Sequence, residues 1–402
     1  MPKHDSMRIL LLNDYQSLGG VEVVVDRTAE LLTKQGHEVR VLTGDQCAGS
    51  QNPLGYISSR RAKRSLKKIL RDFGPEAIHI HNLYHLLSPA ILGVCKSYCA
   101  QTGARLIMTV HDHHLVCPNP GGCYWKSGQR HIAPMPVASG LLPMLARRWD
   151  HRSRTHSVLR VLQRYWNYTL HARHLIPDTI LSPAPTLAKL VSELGHPDVR
   201  VVLNPLADKP GVLRPTAVDF LRVAIAGRID PEKGVAVIIE HWPRDLKATI
   251  QIAGQGTDLE RCRQIYASRK TASDALSVEF LGHLPHKEAM CVIARADLLI
   301  VPSIGPEVAP LVLDEAIIAG TQILISDQPA LRAAVERLGH GWVFDPADPS
   351  DFDKKLREIE AARLSGILLP KEHSKTLPGR SPETYINELL AAYTGHPSPA
   401  HR

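Results

Sequence analysis

Short apolar runs alternate with helical stretches along this chain, and the alternation starts twice, near residue 7 and again near residue 221. An apolar run without polar alternation fits a strand covered on both faces, which is the situation of a parallel sheet. The first series is MRILLLND (7–14), EVRVLTG (38–44), EAIHIHN (76–82), RLIMTVHD (105–112), TILSPAP (179–185) and VRVVLNP (199–205), with a helical stretch after the first run. The second is LRVAIAGR (221–228), ATIQIAGQG (248–256), SVEFLGHL (277–284), DLLIVPS (297–303) and TQILIS (321–326), with helices between. Two such series predict an α/β protein of two doubly wound, Rossmann-like parallel-sheet domains. The expected boundaries are 1–205 and 206–380, with a linker in 206–220 that contains Pro210 and Pro215. A last helix, 381–402, packs on one of the two domains.

Charge divides the chain. Residues 1–200 hold 25 Lys and Arg against 14 Asp and Glu, while the whole chain carries +8. A basic first half suits an anionic partner, either a membrane surface or a phosphate-bearing acceptor, or else serves solubility alone. No nucleic-acid-binding motif accompanies the charge, so nucleic acid is not an expected partner. Residues 118–175 break the strand–helix rhythm. There Leu159, Leu162, Tyr165 and Trp166 recur at helical spacing with arginines between them. This predicts a basic amphipathic helix that either packs on the core or touches lipid headgroups. The first residues carry no signal-peptide pattern, no apolar run is long enough to span a bilayer, and the seven cysteines are odd in number. The expected location is the cytoplasm, with the inner face of the membrane as its peripheral variant.

Four segments carry chemistry. In PSIGPEVAPLVLDEAIIAG (302–320) a strand ends, a loop presents Glu307, and a helix opens at Pro310, with Glu315 eight residues after Glu307. The first amides of that helix, at Leu311 and Val312, have no intrahelical partner and suit a diphosphate. Glu315 could accept hydrogen bonds from a ribose, and Glu307 could reach a sugar. In GRIDPEKG (227–234), Gly227 ends a strand, and Arg228 and Lys233 place two cations near its exit. Such a pair stabilises a leaving diphosphate without a metal. Gly19-Gly20 and Gly254-Gln255-Gly256 occupy strand exits where backbone can approach a phosphate or sugar. His111 follows a strand in TVHDHHLVCPNPGGC (109–123) and could bond a sugar hydroxyl. The spacing of His111, His113, His114, Cys117 and Cys123 matches no standard zinc site, so no metal is expected.

Taken in order, GRIDPEKG, AGQG, FLGHLPHKEAM, DLLIVPS and the E-x7-E segment resemble the retaining glycosyltransferases related to glycogen synthase and phosphatidylinositol mannosyltransferase, family 4, group 1. The GGVE and VHDHHLVCP segments are similar to that group's N-terminal features. The resemblance implies a GT-B fold with the two domains facing a cleft. Residues 1–205 would serve the acceptor, residues 206–380 would bind a nucleoside diphosphate (NDP) sugar, and the last helix would cross back to the first domain. It implies a UDP- or GDP-sugar donor, retention of anomeric configuration and no obligatory cofactor. By this likeness Arg228 and Lys233 hold the diphosphate, Glu315 the ribose and Glu307 the donor sugar. Leu284, after His283, meets the base. Gly19 and Gly20 approach phosphate or acceptor, and His111 approaches the donor sugar. Val308-Ala309 and Gly305 depart from residues common in relatives and leave the sugar's identity open.

No pair of carboxylates suits a double displacement, so attack on the face that the diphosphate leaves is the expected mechanism. The expected acceptor is lipid-linked or phosphorylated, as in cell-surface polysaccharide or glycolipid assembly. A soluble natural product or glycan is the alternative acceptor. A non-catalytic sugar-nucleotide-binding protein is the alternative of another class.

Overall fold

The structure, a computed structural model, describes residues 6–16, 19–47, 53–137, 140–211, 218–269, 275–339, 341–366 and 381–397. Its contacts divide the chain into two compact units, Met1–Pro205 with Arg380–Arg402, and Leu206–Gly379. Pro215 of the expected linker lies outside the described residues.

The first unit holds a six-stranded parallel sheet. Its strands are β1 (Arg8–Asn13), β2 (Glu38–Thr43), β3 (Ala77–Ile80), β4 (Arg105–Thr109), β7 (Thr179–Ser182) and β8 (Val199–Val201), in the spatial order β2-β1-β3-β4-β7-β8. A separate hairpin, β5 (Cys123–Lys126) and β6 (Gln129–Ile132), accounts for part of the broken rhythm after residue 118. β1 pairs on both sides, Ile9 with Val39 and with Ala77, and Ile9 through Leu12 are buried. The unbroken apolar run at 9–12 therefore reflects cover on both faces. Helix Gly20–Lys34 covers part of one face, and its Val25, Leu31 and Leu32 join Ile9 and Leu11 in one core. Helix Pro382–Thr394 completes that core with Tyr385, Ile386, Leu389 and Leu390. Two buried hydroxyls lock it in place: Tyr385 OH lies 2.7 Å from Thr28 Oγ1, and Tyr393 OH lies 2.8 Å from His79 Nδ1.

The second unit repeats the plan. Its strands are β9 (Leu221–Ala226), β10 (Ala248–Ala253), β11 (Leu276–Gly282), β12 (Leu298–Val301), β13 (Gln322–Ser326) and β14 (Trp342–Phe344), ordered β11-β10-β9-β12-β13-β14. β14 has only three residues, too short to carry a strand pattern in the sequence. All pairings are parallel. In each sheet the chain moves outward on one side of the first strand, then returns to its other side. The reversal falls between β1 and β3 in the first unit and between β9 and β12 in the second. Loops leaving the carboxyl ends of such a strand pair are where open α/β sheets bind ligands.

The expected amphipathic helix forms over Arg154–Arg164 and continues as a π-helix over Tyr165–Leu170, and its expected apolar positions divide, with Tyr165 packed against the core and Leu162 and Trp166 exposed. Arg164 is buried and donates to the carbonyls of His114 and Leu115, and Arg160 is held by the buried Asp150 at 2.8 Å. Leu162 and Trp166 face outward, on the side away from these arginines' partners. Arginines turned inward find fixed carbonyl and carboxylate partners, which spacing alone does not reveal.

Candidate functional site

The two loops at the β9/β12 reversal are knitted together by backbone and side chain. Beyond β9, Gly227 (φ +131°) turns the chain into Arg228–Lys233, which closes in a 3₁₀ turn at Pro231–Lys233 and ends at Gly234 (φ +70°). The carbonyl of Glu232 accepts the N–H groups of Ile304 and Gly305, at 2.9 and 3.1 Å, from the loop beyond β12. A side chain at Gly234 would put its Cβ 2.1 Å from the Pro302 carbonyl oxygen, so only glycine lets these loops close. Gly254 and Gly256 serve the same purpose. A Cβ there would meet the carbonyls of Gly227 and Ile229 at 1.8 and 2.2 Å. Their lack of side chains admits the neighbouring loop's backbone.

This closure brings Lys233 to Glu307. Lys233 Nζ donates to Glu307 Oε1 at 2.6 Å, and the Ser303 hydroxyl donates to the same oxygen at 2.5 Å. An ammonium has three donors and a carboxylate two oxygens. Lys233 thus keeps N–H groups for another anion, and Glu307 keeps Oε2. Arg228 Nη1 donates to Asp230 Oδ2 at 2.6 Å and remains half exposed. Asp230 Oδ1 in turn accepts the N–H and hydroxyl of Thr257, both at 3.0 Å, which fixes the guanidinium's base.

The following helix spans Leu311–Ala319, so Pro310 is its cap and stands one place before the first helical residue expected for it. Glu315 is buried in this helix, and its Oε1 lies 2.7 Å from His286 Nε2. The carboxylate raises the imidazole's pKa above its ordinary value, against the opposing effect of burial. His286 opens the helix His286–Arg295, two residues after Leu284. The contact therefore ties the turn beyond β11 to the helix beyond β12. Sequence reading missed His286 and Ser303. His286 falls within the HLPHKE run, and its position at a helix start after a strand exit was the available signal.

In the first unit the loop beyond β1 is anchored by Asp14, which is buried and accepts the N–H groups of His85, Leu86 and Leu87 at 2.7, 2.9 and 2.9 Å. Glu22 accepts the Gly19 N–H at 2.7 Å and an Asn13 amide N–H at 3.0 Å. The Gly19 N–H is thereby committed within the protein, whereas the space beside Gly19 is open, with Glu22 Oε2 nearest at 3.8 Å. Gly20 is the first residue of the helix that follows.

His111 sits at the end of a column of imidazoles. His79 and His81 have ring centroids 4.3 Å apart, and His81 stacks on His111 at 5.2 Å. His79 bonds Thr109 at 2.7 Å and Tyr393 at 2.8 Å, and His81 Nδ1 lies 3.0 Å from His111 Nε2. Burial, then the neighbouring imidazoles, pushes His79 down to about 3 and His81 well below its usual value. Burial likewise pulls His111 down to about 4, so all three are neutral near pH 7. His81 Nε2 is buried without a partner. A bare acceptor there costs less than an orphaned N–H. This favours the tautomer in which His81 Nδ1–H donates to His111 Nε2, leaving His111 Nδ1 to carry a proton. Asp112, next in the chain, accepts Tyr84 OH at 2.5 Å and His114 Nδ1 at 2.7 Å. Burial opposes its ionisation, but His114 and these bonds outweigh that and hold it near 2. Among the described residues no group of His, Cys, Asp and Glu is arranged for a metal, and no two cysteines form a disulfide.

Two family models match adjoining parts of the chain: Glycosyltransferase Family 4 over residues 18–207, and Glycosyl transferases group 1 over residues 216–372. Glycogen synthase of Mycobacterium tuberculosis is 28% identical over 195 residues, 45% of this chain and 45% of that protein. A phosphatidyl-myo-inositol mannosyltransferase of the same species is 32% identical over 154 residues, 37% and 36% of the two chains. The matches thus span less than half the length of these relatives. Among solved structures, Anabaena HepE in complex with UDP and glucose superimposes with a TM-score of 0.60 at 13% identity, covering 97% of this chain and all of that one. At that identity the likeness speaks for the fold, which is GT-B.

Proposed function

Since this chain belongs to the family 4, group 1 glycosyltransferases, we propose that it moves a sugar from a nucleoside diphosphate sugar to an acceptor hydroxyl with retention of anomeric configuration. One observation carries the reading: the Lys233–Glu307 pair closes the two loops at the β9/β12 reversal, beside the amino end of helix Leu311–Ala319. A diphosphate set there gains the helix's first amides, Lys233 and Arg228. Glu307, already aligned by Ser303 and Lys233, offers Oε2 to a sugar hydroxyl, and Glu315 serves the ribose with Leu284 near the base. In the transfer, the bond from the anomeric carbon to the diphosphate breaks. The acceptor oxygen bonds the same face, and its proton leaves on the departing diphosphate. The two cations stabilise that developing charge. His111, neutral and protonated on Nδ1, offers that N–H to a sugar hydroxyl.

HepE is recorded with UDP, and a relative is named for phosphatidyl-myo-inositol. These, with the basic first unit, support a UDP- or GDP-sugar donor and a lipid-linked or phosphorylated acceptor. A thermal-shift series against UDP-, GDP-, ADP- and dTDP-sugars tests the donor, because a ligand bound only by the native state raises the melting point. NMR of the product's anomeric proton tests retention. No stabilising nucleotide, or an inverted product, overturns the reading.

A further inference from the structure

The helix Arg154–Arg164 and its π-helical continuation Tyr165–Leu170 bury several polar residues and leave a row of apolar ones exposed. The inward face carries Gln163, Arg164 and Asn167, each bonded to backbone carbonyls of the first unit, and Val161 joins the apolar core beneath, with Tyr165 packed against it. Outward stand Val158, Leu162, Trp166 and Leu170, with 41, 37, 45 and 55% of their surfaces exposed. They recur every fourth residue. A four-residue step overshoots an α-turn and undershoots a π-turn, so the change at Tyr165 reverses the drift and keeps the stripe on one side. A contiguous apolar stripe left in water is an interaction surface rather than a packing remnant.

The adjoining charge identifies what covers it. Gln163 and Asn167 donate to the carbonyls of Tyr56 and Ile57, immediately before the helix Arg60–Phe73. That helix exposes Arg60, Arg61, Arg64, Lys67, Lys68 and Arg71. Arg173, bonded to Asn167, lies close enough to Lys63 to depress its pKa, after burial. The segment that leads into the cationic helix is therefore held against the helix that carries the stripe.

We propose that this face docks on an anionic lipid bilayer, with Leu162, Trp166 and Leu170 entering the acyl boundary and Arg60, Arg61 and Arg64 resting on the headgroups. Apolar insertion and headgroup charge together give reversible, salt-sensitive attachment, and neither suffices alone. The surface is independent of the donor reading, because every residue in it belongs to the first unit.

The full chain is sedimented with phosphatidylcholine vesicles, with and without phosphatidylglycerol, and its mass in solution is measured. Binding is expected on the anionic vesicles alone, weakening as salt rises. Arg61→Gln should lower the partition constant about five-fold. Leu162→Ser with Trp166→Ser should lower it at least about ten-fold, with circular dichroism unchanged because the side chains are exposed. Absence of binding to anionic vesicles overturns the proposal, as does binding indifferent to the Leu162/Trp166 pair. A dimer that this pair converts to monomer also overturns it, since the stripe would then belong to a second copy of the chain.

Discussion

Lys233 and Glu307 are 74 residues apart and 2.6 Å apart, and the contact joins the two loops that leave adjacent strands β9 and β12. Each group alone is a common surface residue. Together they form a charged pair at the strand reversal, with donors on the ammonium and one carboxylate oxygen left over. The pair organises the cation: a free ammonium at the end of four methylenes would lose more rotamer entropy on meeting a phosphate.

Lys233→Ala should lower kcat by about 10²–10³ at saturating donor, the usual cost of removing one fixed charge from a developing anion. Glu307→Gln keeps the shape but loses the ion pair, and should raise KM and lower kcat together. Steady-state rates with the donor found by thermal shift decide this. Turnover of Lys233→Ala equal to that of the parent chain would remove Lys233 from the chemistry.

Gly234→Ala should destabilise the second unit by at least about 2 kcal/mol. The residue has φ +70°, and its added Cβ would collide with the Pro302 carbonyl. Gly36, also at positive φ (+91°) but with nothing within 4 Å of its Cβ position, is the control and should cost less on alanine substitution. Urea unfolding of the two variants gives the comparison, and equal losses would mean that backbone conformation alone accounts for the effect.

The imidazole column makes the first unit acid-labile. His79, His81 and His111 have depressed folded-state values, so between pH 6.5 and about 4 the unfolded chain takes up protons that the native one does not. The stability they allow is complete above pH 6.5 and is lost as pH falls. The loss is about 1.4 kcal/mol per pH unit for each histidine. Denaturant midpoints at pH 7 and pH 5 should differ accordingly, and a flat profile would contradict the burial that drives the shifts.

His286 gives donor binding the opposite pH sense. Its pKa is raised by Glu315, so the pair's stabilisation is full below the ordinary imidazole value and disappears as pH rises through the raised one. A ribose that bonds Glu315 competes with the imidazolium, and nucleotide affinity should therefore increase across that window. Isothermal titration with the donor nucleotide at several pH values should reveal the rise. His286→Asn should flatten it, and Glu315→Gln should weaken binding about ten-fold. A pH-independent Kd for the parent chain would dismiss the competition.

Much of this molecule was written locally in its sequence. The runs at 9–12, 223–225 and 298–301 are apolar because parallel strands are covered on both faces, so period and length alone reveal them. The candidate residues Arg228, Lys233, Glu307 and Glu315 were legible because strand exits and helix starts have chain-local signatures. Tertiary structure decided what each of them touches: Lys233 on Glu307, Glu315 on His286, Arg228 on Asp230. It also turned Arg160 and Arg164 inward and Leu162 and Trp166 outward, and placed Tyr393 against His79 across 314 residues. Periodicity records that a helix has two unlike faces. Only the partners brought by the rest of the fold, here a buried carboxylate and two carbonyls, determine which face goes inside.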